Sequence, residues 1–124
     1  MSDHPAGRKI YIVDDETLIA FTLEEILKNA GFDAKSFTKP LEALEAAKSA
    51  TPDLLITDVV MPKMSGVELA IEFRTHYPGC QILLFSGQSR VADQLEKARE
   101  QGHNFAILAK PIHPRDLIAA ITSL

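Results

Sequence analysis

Five short apolar segments recur along the chain, and each is followed by a longer segment whose apolar residues have helical spacing. The apolar segments are KIYIV (9–13), FDAKSF (32–37), DLLIT (53–57), QILLF (81–85) and FAILA (105–109). Four of them are nearly continuous apolar runs, which is typical of parallel strands covered on both faces. FDAKSF alternates between apolar and polar residues, which predicts an edge strand with one face in water.

The segments between these runs read as helices with recognisable starts and stops. They are TLIAFTLEEILKNAG (17–31), KPLEALEAAKSA (39–50), SGVELAIEFRTHYP (65–78), SRVADQLEKAREQG (89–102) and HPRDLIAAITSL (113–124). Gly31 and Gly102 are natural helix stops, and Pro40 suits the first turn of a helix. Strands that alternate with helices favour parallel pairing through right-handed crossovers. We therefore predict an α/β fold, a doubly wound parallel sheet of five strands with five helices.

The length and composition fit one globular domain. The chain has 124 residues, of which 46% are hydrophobic and 24% charged, close to the average for globular proteins. Residues 1–7 read as a polar N-terminal tail, and residues 8–124 as a single domain without linker or repeat.

Charge and cysteine content narrow the function classes. A net charge of −4 with scattered basic residues argues against direct binding of nucleic acid. Cys80 is the only cysteine and opens an apolar run, so we expect a packed thiol, no internal disulfide and a cytoplasmic location. No apolar stretch approaches the roughly 20 residues that span a bilayer, so no membrane partner is expected.

Polar residues collect where the predicted strands end. Asp14, Asp15 and Glu16 follow the first strand, Asp58 the third, Ser86 and Gly87 the fourth, and Lys110 the fifth. In a doubly wound sheet the carboxyl ends of the strands share one edge, and ligands bind there. These side chains are therefore expected to meet in one site.

The chemistry of that set points to phosphoryl transfer. Three clustered carboxylates repel one another, and a hard divalent cation such as Mg²⁺ relieves that repulsion while accepting phosphate oxygens. Lys110 adds a point charge and Ser86 a hydroxyl donor for phosphate. Asp58 would then be a nucleophile that forms an acyl phosphate.

Four sequence pieces taken together resemble the receiver domain of two-component response regulators. They are IVDDE (12–16), ITDVVMPKMSG (56–66), LFSGQ (84–88) and AKPI (109–112). The resemblance extends over residues 8–124. It implies a CheY-like, flavodoxin-like three-layer fold with strand order 2-1-3-4-5.

The resemblance implies a role for each residue around the phosphoryl group. Asp58 would accept it from a histidine kinase or a histidine phosphotransfer protein, and the switched domain would contact a downstream protein that the sequence does not identify. Lys110 and Ser86 would bind the phosphoryl oxygens, and the backbone at Gly87 would contact them. The bond between Lys110 and Pro111 is typically cis in the family.

The resemblance also implies a metal site for Mg²⁺ or Mn²⁺. Asp15 would coordinate the ion directly, Asp14 would lie nearby and often act through water, and Asp58 and the backbone carbonyl of Val60 would complete the protein ligands.

One position departs from the family pattern. Many receivers carry Tyr or Phe three residues before the lysine, and that ring turns inward on activation. Here the position is Ile107, while Phe105 lies two residues earlier on the same predicted strand face. We therefore do not expect the usual aromatic rotation, and predict that the face near the fourth helix and fifth strand responds weakly or through another residue. The resemblance further implies that Val60 and Gln88 influence how long the phosphoryl group persists.

Four functional hypotheses remain open at the level of sequence. The first is a single-domain phosphorelay receiver, a phosphoacceptor switch with no enzymatic substrate beyond its own phosphorylation and dephosphorylation. The second is a small flavin-binding electron carrier, which the acidic Asp14-Asp15-Glu16 turn disfavours because it repels phosphate. The third is a constitutive interaction module that is never phosphorylated. The fourth is a receiver excised from a longer regulator or hybrid kinase.

Overall fold

The computed structural model describes residues 8–87, 92–110 and 112–124. Five strands and five helices alternate along this part of the chain, as predicted. The strands are β1 (Lys9–Val13), β2 (Asp33–Phe37), β3 (Leu54–Asp58), β4 (Gln81–Ser86) and β5 (Ala106–Ala109). The helices are α1 (Thr17–Asn29), α2 (Pro40–Ser49), α3 (Gly66–His76), α4 (Ala92–Glu100) and α5 (Pro114–Thr122). The predicted tail at 1–7, Gln88 and the Lys110–Pro111 bond lie outside the described residues.

The strands form one parallel sheet in the order β2-β1-β3-β4-β5, which confirms the predicted fold. Alternate residues of each strand face two separate cores. One core includes Ile12, Ile56 and Phe85 with Leu27 of α1 and Leu117 of α5. The other includes Val13, Leu55 and Leu84 with Ala43 of α2, Phe73 of α3 and Ala98 of α4. The near-continuous apolar runs therefore reflect burial on both faces of the central strands.

The two edge strands differ. β2 is the alternating edge strand that the sequence predicts, with Asp33 and Lys35 exposed. The carboxylate of Glu24 on α1 accepts the Ser36 backbone N–H at 2.6 Å, which occupies a donor on the open side of the strand. Hydrogen bonds from Lys28 and Ser36 outweigh the burial of this carboxylate and lower the pKa of Glu24.

β5 departs from the prediction. Its continuous apolar run predicts cover on both faces, but Ala106, Ile107 and Ala109 are exposed, because the strand lies at the edge of the sheet. Phe105 precedes the strand and packs against the core on the α3 side. The Arg74 guanidinium lies 4.7 Å from the centre of its ring, and His103 stacks on it at 6.0 Å.

Cys80 is packed, as predicted. It is buried, and burial raises the pKa of its thiol to about 12. Among the described residues, no helix combines the length and the apolar character that crossing a membrane requires.

The connection from β3 to α3 folds tightly back over the end of β3. Ser65 caps α3 by accepting the Glu68 backbone N–H, and the Glu68 carboxylate accepts the Ser65 N–H in return. The next residue, Gly66, donates its N–H to the Val59 carbonyl at 2.7 Å. A Cβ atom on Gly66 would lie 1.8 Å from the carbonyl oxygen of Asp58. Only glycine lets the helix start this close to the strand end.

We expect Gly66→Ala to lower the free energy of unfolding by about 1–3 kcal/mol or more, because the clash is with backbone atoms that cannot rotate away. Gly79→Ala is the matched control, since a Cβ there meets nothing within 4 Å. This control should be neutral or stabilising by up to about 1 kcal/mol. Urea unfolding of both variants measures the difference, and equal midpoints would contradict the close approach at Gly66.

Candidate functional site

The polar residues singled out in the sequence meet at the carboxyl edge of the sheet. Asp14 directly follows β1, Asp58 is the last residue of β3, Ser86 is the last residue of β4, and Lys110 directly follows β5. Asp14, Asp58 and Ser86 are buried, with 0%, 6% and 5% of their surfaces exposed, whereas Asp15 is exposed. The site therefore combines a protected interior with one open acidic side chain.

The carboxylates form a cluster that fits a hard cation. One oxygen from each of Asp14, Asp15 and Asp58 lies within 4.8 Å of the other two. The carboxylate of Asp14 is also oriented by the Glu16 backbone N–H, which donates to its Oδ1 at 2.9 Å. An all-oxygen set of this kind matches the preference of Mg²⁺ and similar ions, so these three residues could hold a metal.

Lys110 is the positive charge of the site. Its Nζ lies 3.1 Å from Oδ2 of Asp14 and 3.3 Å from Oδ2 of Asp58. The Lys110 backbone N–H donates to the Ser86 carbonyl at 2.9 Å, and its Nζ lies 4.8 Å from the centre of the Phe85 ring. A Cβ on Gly87 would lie 3.5 Å from the Lys110 Cβ, which places Gly87 against the lysine. The end of β4 thus fixes both the backbone and the side chain of Lys110.

Burial and charge act in opposite directions on the ionisable groups here. Burial raises the pKa of Asp58, and the charge of Asp14 adds to this rise, although Lys110 and a hydrogen bond from the Val60 backbone oppose it. Burial alone would lower the pKa of Lys110, but the hydrogen bonds and charges of Asp14 and Asp58 outweigh it and raise that pKa. Lys110 is therefore held as an ammonium, and Asp58 is the carboxylate that takes a proton more readily than usual.

The rim around the carboxylates is partly apolar. Val60, two residues after Asp58, is 42% exposed beside the site. A groove of about 280 Å³ runs from Lys110 along α1, with Phe85 and Ile112 among its walls. Leu18 lines this groove and is 76% exposed, although its helical spacing alone is equally consistent with core packing. The sequence leaves Leu18 open between core packing and an exposed contact surface near the site, and its exposure excludes core packing.

Comparison with known proteins agrees with the geometry. A sequence model of the response regulator receiver domain matches residues 10–122. The chain is 35% identical over 121 residues to the transcriptional regulatory protein PdtaR of Mycobacterium tuberculosis, covering 97% of this chain and 58% of PdtaR. It is 28% identical over 119 residues to the chemotaxis protein CheY of Thermotoga maritima, covering 95% of this chain and 98% of CheY.

Solved structures give the same result. The CheY-like receiver domain protein from Methanospirillum hungatei superposes with a TM-score of 0.86 at 26% identity, covering 95% of this chain and 93% of the other. The receiver domain protein from Clostridium thermocellum gives 0.82 at 28% identity, with 94% and 92% covered. Some relatives are longer, since the chain spans 49% of the transcriptional regulatory protein CreB and 24% of NtrC, both of Escherichia coli.

We expect Lys110→Met, measured without divalent cations, to lower the free energy of unfolding at pH 7.5 by about 1–3 kcal/mol. Methionine keeps an apolar stem against Phe85 but removes the charge that compensates Asp14 and Asp58. Burial and the charge of Asp14 raise the pKa of Asp58 while Lys110 opposes this rise, so removing Lys110 raises that pKa further. Protonation of Asp58 then favours the folded variant, and stability is lost as pH rises through that pKa. The deficit relative to wild type should therefore shrink near pH 5.

Urea unfolding at the two pH values provides the measurement. Lys97→Met is the control, because Lys97 is an exposed lysine of α4, and its effect should stay within about 0.5 kcal/mol. A deficit for Lys110→Met that is the same at both pH values would show that Lys110 acts through packing and not through charge.

Proposed function

Because the chain belongs to the response regulator receiver domain family, we propose that it is a phosphorelay switch whose phosphoacceptor is Asp58. The observation that carries the proposal is the placement of Asp58, nearly buried at the edge of the sheet and 3.3 Å from the Lys110 ammonium. Two further carboxylates lie within 4.8 Å. A nucleophile, a fixed cation and a potential metal site thus share one small space.

The proposed donor is the phosphohistidine of a histidine kinase or of a histidine phosphotransfer protein. A carboxylate oxygen of Asp58 attacks phosphorus, an O–P bond forms, the N–P bond breaks, and the departing imidazole takes up a proton. Charge on the transferring oxygens is stabilised by the Lys110 ammonium, which already lies beside Asp58. Ser86 supplies a hydroxyl donor, and the backbone at Gly87 a further contact.

The proposed metal is Mg²⁺, with Mn²⁺ as a substitute. The residues that would hold it are Asp15, Asp14 and Asp58, with the backbone carbonyl of Val60. When bound, the ion supplies positive charge that neutralises the carboxylates and the phosphoryl oxygens. The oxygen-only composition of the cluster and the exposure of Asp15 support this assignment, because the ion can enter from solvent and keep water ligands.

The proposed output is a change in protein contacts. In this proposal residues 8–124 act as one receiver unit in the cytoplasm, as is general in the family, and phosphorylation pulls Ser86 and its loop towards Asp58. Phe105 contacts both Arg74 and His103, and Ile107 is 41% exposed. These contacts support a response that proceeds without rotation of an aromatic side chain. The downstream partner is a protein.

We expect wild type to gain the mass of one phosphoryl group when it is incubated with a small acyl phosphate or phosphoramidate and Mg²⁺. Asp58→Asn should gain none, because the amide is not a nucleophile for phosphorus. Asp53→Asn is the matched control, since Asp53 lies just before the opposite end of β3 and its carboxylate accepts the Lys9 backbone N–H. This control should be phosphorylated like wild type. Intact-protein mass spectrometry provides the measurement.

A chelator should prevent the mass gain in wild type and in Asp53→Asn. If Asp58→Asn is modified to the same extent as wild type, a residue other than Asp58 is the phosphoacceptor. If wild type gains nothing under any condition, the switch proposal fails, and a constitutive interaction module becomes the better account of the fold.

We expect Mg²⁺ to stabilise wild type against unfolding, by about 1.4 kcal/mol at ten times the dissociation constant. Asp15→Asn should lose most of this gain, because it removes the exposed carboxylate of the cluster. Glu42→Gln is the control, since Glu42 is an exposed acid that lines a second surface pocket, one that Asp15 also lines. Thermal unfolding with and without Mg²⁺ decides the point, and equal gains for Asp15→Asn and wild type would rule out Asp15 as a ligand.

A further inference from the structure

We propose that Phe85 is a positioning residue for Lys110, whose ring face keeps the ammonium beside Asp58 while the phosphoryl group is transferred. The inference rests on the proposed function, which assigns Lys110 to the phosphoryl oxygens. The observation behind it is that the Lys110 Nζ lies over the Phe85 ring, 4.8 Å from its centre. An ammonium in that position is attracted by the negative charge of the aromatic face.

The ring is fixed relative to Asp58. Phe85 lies opposite Asp58 in the β3–β4 register, and its carbonyl accepts the N–H of the next residue of that chain segment, Val59, at 3.1 Å. The Phe85 side chain is fully buried, in the core that also includes Ile56 of the sheet and Leu117 of α5. Close packing holds a buried ring in one orientation. The aromatic face is therefore a rigid part of the site.

The ammonium, in contrast, ends a flexible side chain with access to solvent. The Lys110 side chain keeps 18% of its surface exposed and lines the groove along α1 that the exposed Leu18 also lines. Its stem passes Gly87, where a Cβ would lie 3.5 Å from the Lys110 Cβ and 3.8 Å from its Cδ. These contacts orient the first part of the stem, but the four-carbon chain beyond them is flexible. The ammonium therefore stays inside only while the groups around it attract it.

Two of these attracting groups change during the proposed reaction. The ammonium lies 3.1 Å from Asp14 and 3.3 Å from Asp58 in the resting structure. Both carboxylates are also proposed metal ligands, and Asp58 is the proposed nucleophile. Their attraction for Lys110 weakens when a divalent cation neutralises them. The Phe85 ring is neither a metal ligand nor a reactant, so its attraction for the ammonium persists when theirs is reduced.

Burial makes this contact stronger than a similar one at the surface. Attraction between a cation and an aromatic face is largest where water is excluded, and both Phe85 and most of the Lys110 side chain are shielded from solvent. Elsewhere on the sheet, the Lys35 ammonium lies 5.4 Å from the centre of the Phe37 ring. Lys35 is exposed on the edge strand β2, so water competes with that ring for the charge. The pair at the functional site lacks this competition.

The first arm of the experiment replaces Phe85 by phenylalanines that carry one, two or three fluorine atoms on the ring. Fluorine withdraws charge from the aromatic face in steps and changes the shape of the ring little. The rate of phosphorylation by a saturating small acyl phosphate with Mg²⁺ should fall in the same order, by about two- to ten-fold over the series. The same series at Phe73 is the matched control, since Phe73 is fully buried in the other core and its ring lies beside Tyr77. The rate should not change there.

The second arm uses NMR of the unphosphorylated protein and needs no activity. Protons above an aromatic face are shifted upfield by the ring current, so the ε-protons of Lys110 report where the ammonium lies. Their signal is assigned by its absence in Lys110→Met. It should lie upfield of the other lysine signals in wild type and lose this displacement in Phe85→Leu. On addition of Mg²⁺, wild type should keep the displacement, whereas the protein with three fluorines on the ring at position 85 should lose part of it.

Each outcome decides the proposal. Equal rates across the series at Phe85, or an equal fall in the series at Phe73, overturn it, because the ring would then act through packing alone. An unshifted Lys110 signal in wild type, or a response to Mg²⁺ that does not depend on the fluorines, also overturns it. Failure of the proposed function looks different, because wild type itself is then not phosphorylated, and the inference falls with it.

Discussion

The structure depends on the compensation of buried negative charge by Lys110. Asp14 and Asp58 have almost no exposed surface, and an uncompensated carboxylate at that depth is strongly destabilising. One ammonium bridges both at 3.1 and 3.3 Å. The fold can therefore keep two buried carboxylates at this edge only if Lys110 follows β5 at the position where its ammonium reaches both.

The register of the parallel strands places Lys110 beside these two carboxylates. Ser86 pairs with Ala109 in the β4–β5 register, and the next backbone N–H, that of Lys110, bonds to the Ser86 carbonyl. β3 pairs with β4 so that Asp58 lies opposite Phe85, whose ring lies near the Lys110 ammonium. Parallel strands that end at nearly the same level thus bring residues far apart in sequence within hydrogen-bonding distance.

The fold and the residues that meet at the site could be predicted from the sequence, because both follow from repeated patterns. Apolar runs alternating with helical spacing predicted the five units, and the polar residues at the strand ends predicted Asp14, Asp58, Ser86 and Lys110 as neighbours. Patterns within one element could not predict exposure that depends on other elements. The helical spacing of α1 does not decide whether Leu18 packs in the core or is exposed, and the structure exposes it. The apolar run of β5 reads as a buried strand, but the strand lies at the sheet edge. The Arg74–Phe105–His103 stack joins α3 to the start of β5, and no sequence spacing encodes it.

Charge balance explains why such a site can act as a switch. Three carboxylates against one ammonium leave two negative charges at the edge, which a divalent cation would neutralise. An acyl phosphate on Asp58 would then add roughly one negative charge, since a phosphoryl group carries about two where the carboxylate carried one. Lys110 cannot serve the phosphoryl oxygens and keep both of its present partners in the same geometry. In the proposed function the excess charge would be met by further donors, and Ser86 and Gly87 at the end of β4 are described neighbours of Lys110. On the proposed function, the same electrostatic balance that stabilises the resting fold would make the end of β4 responsive to a single added group.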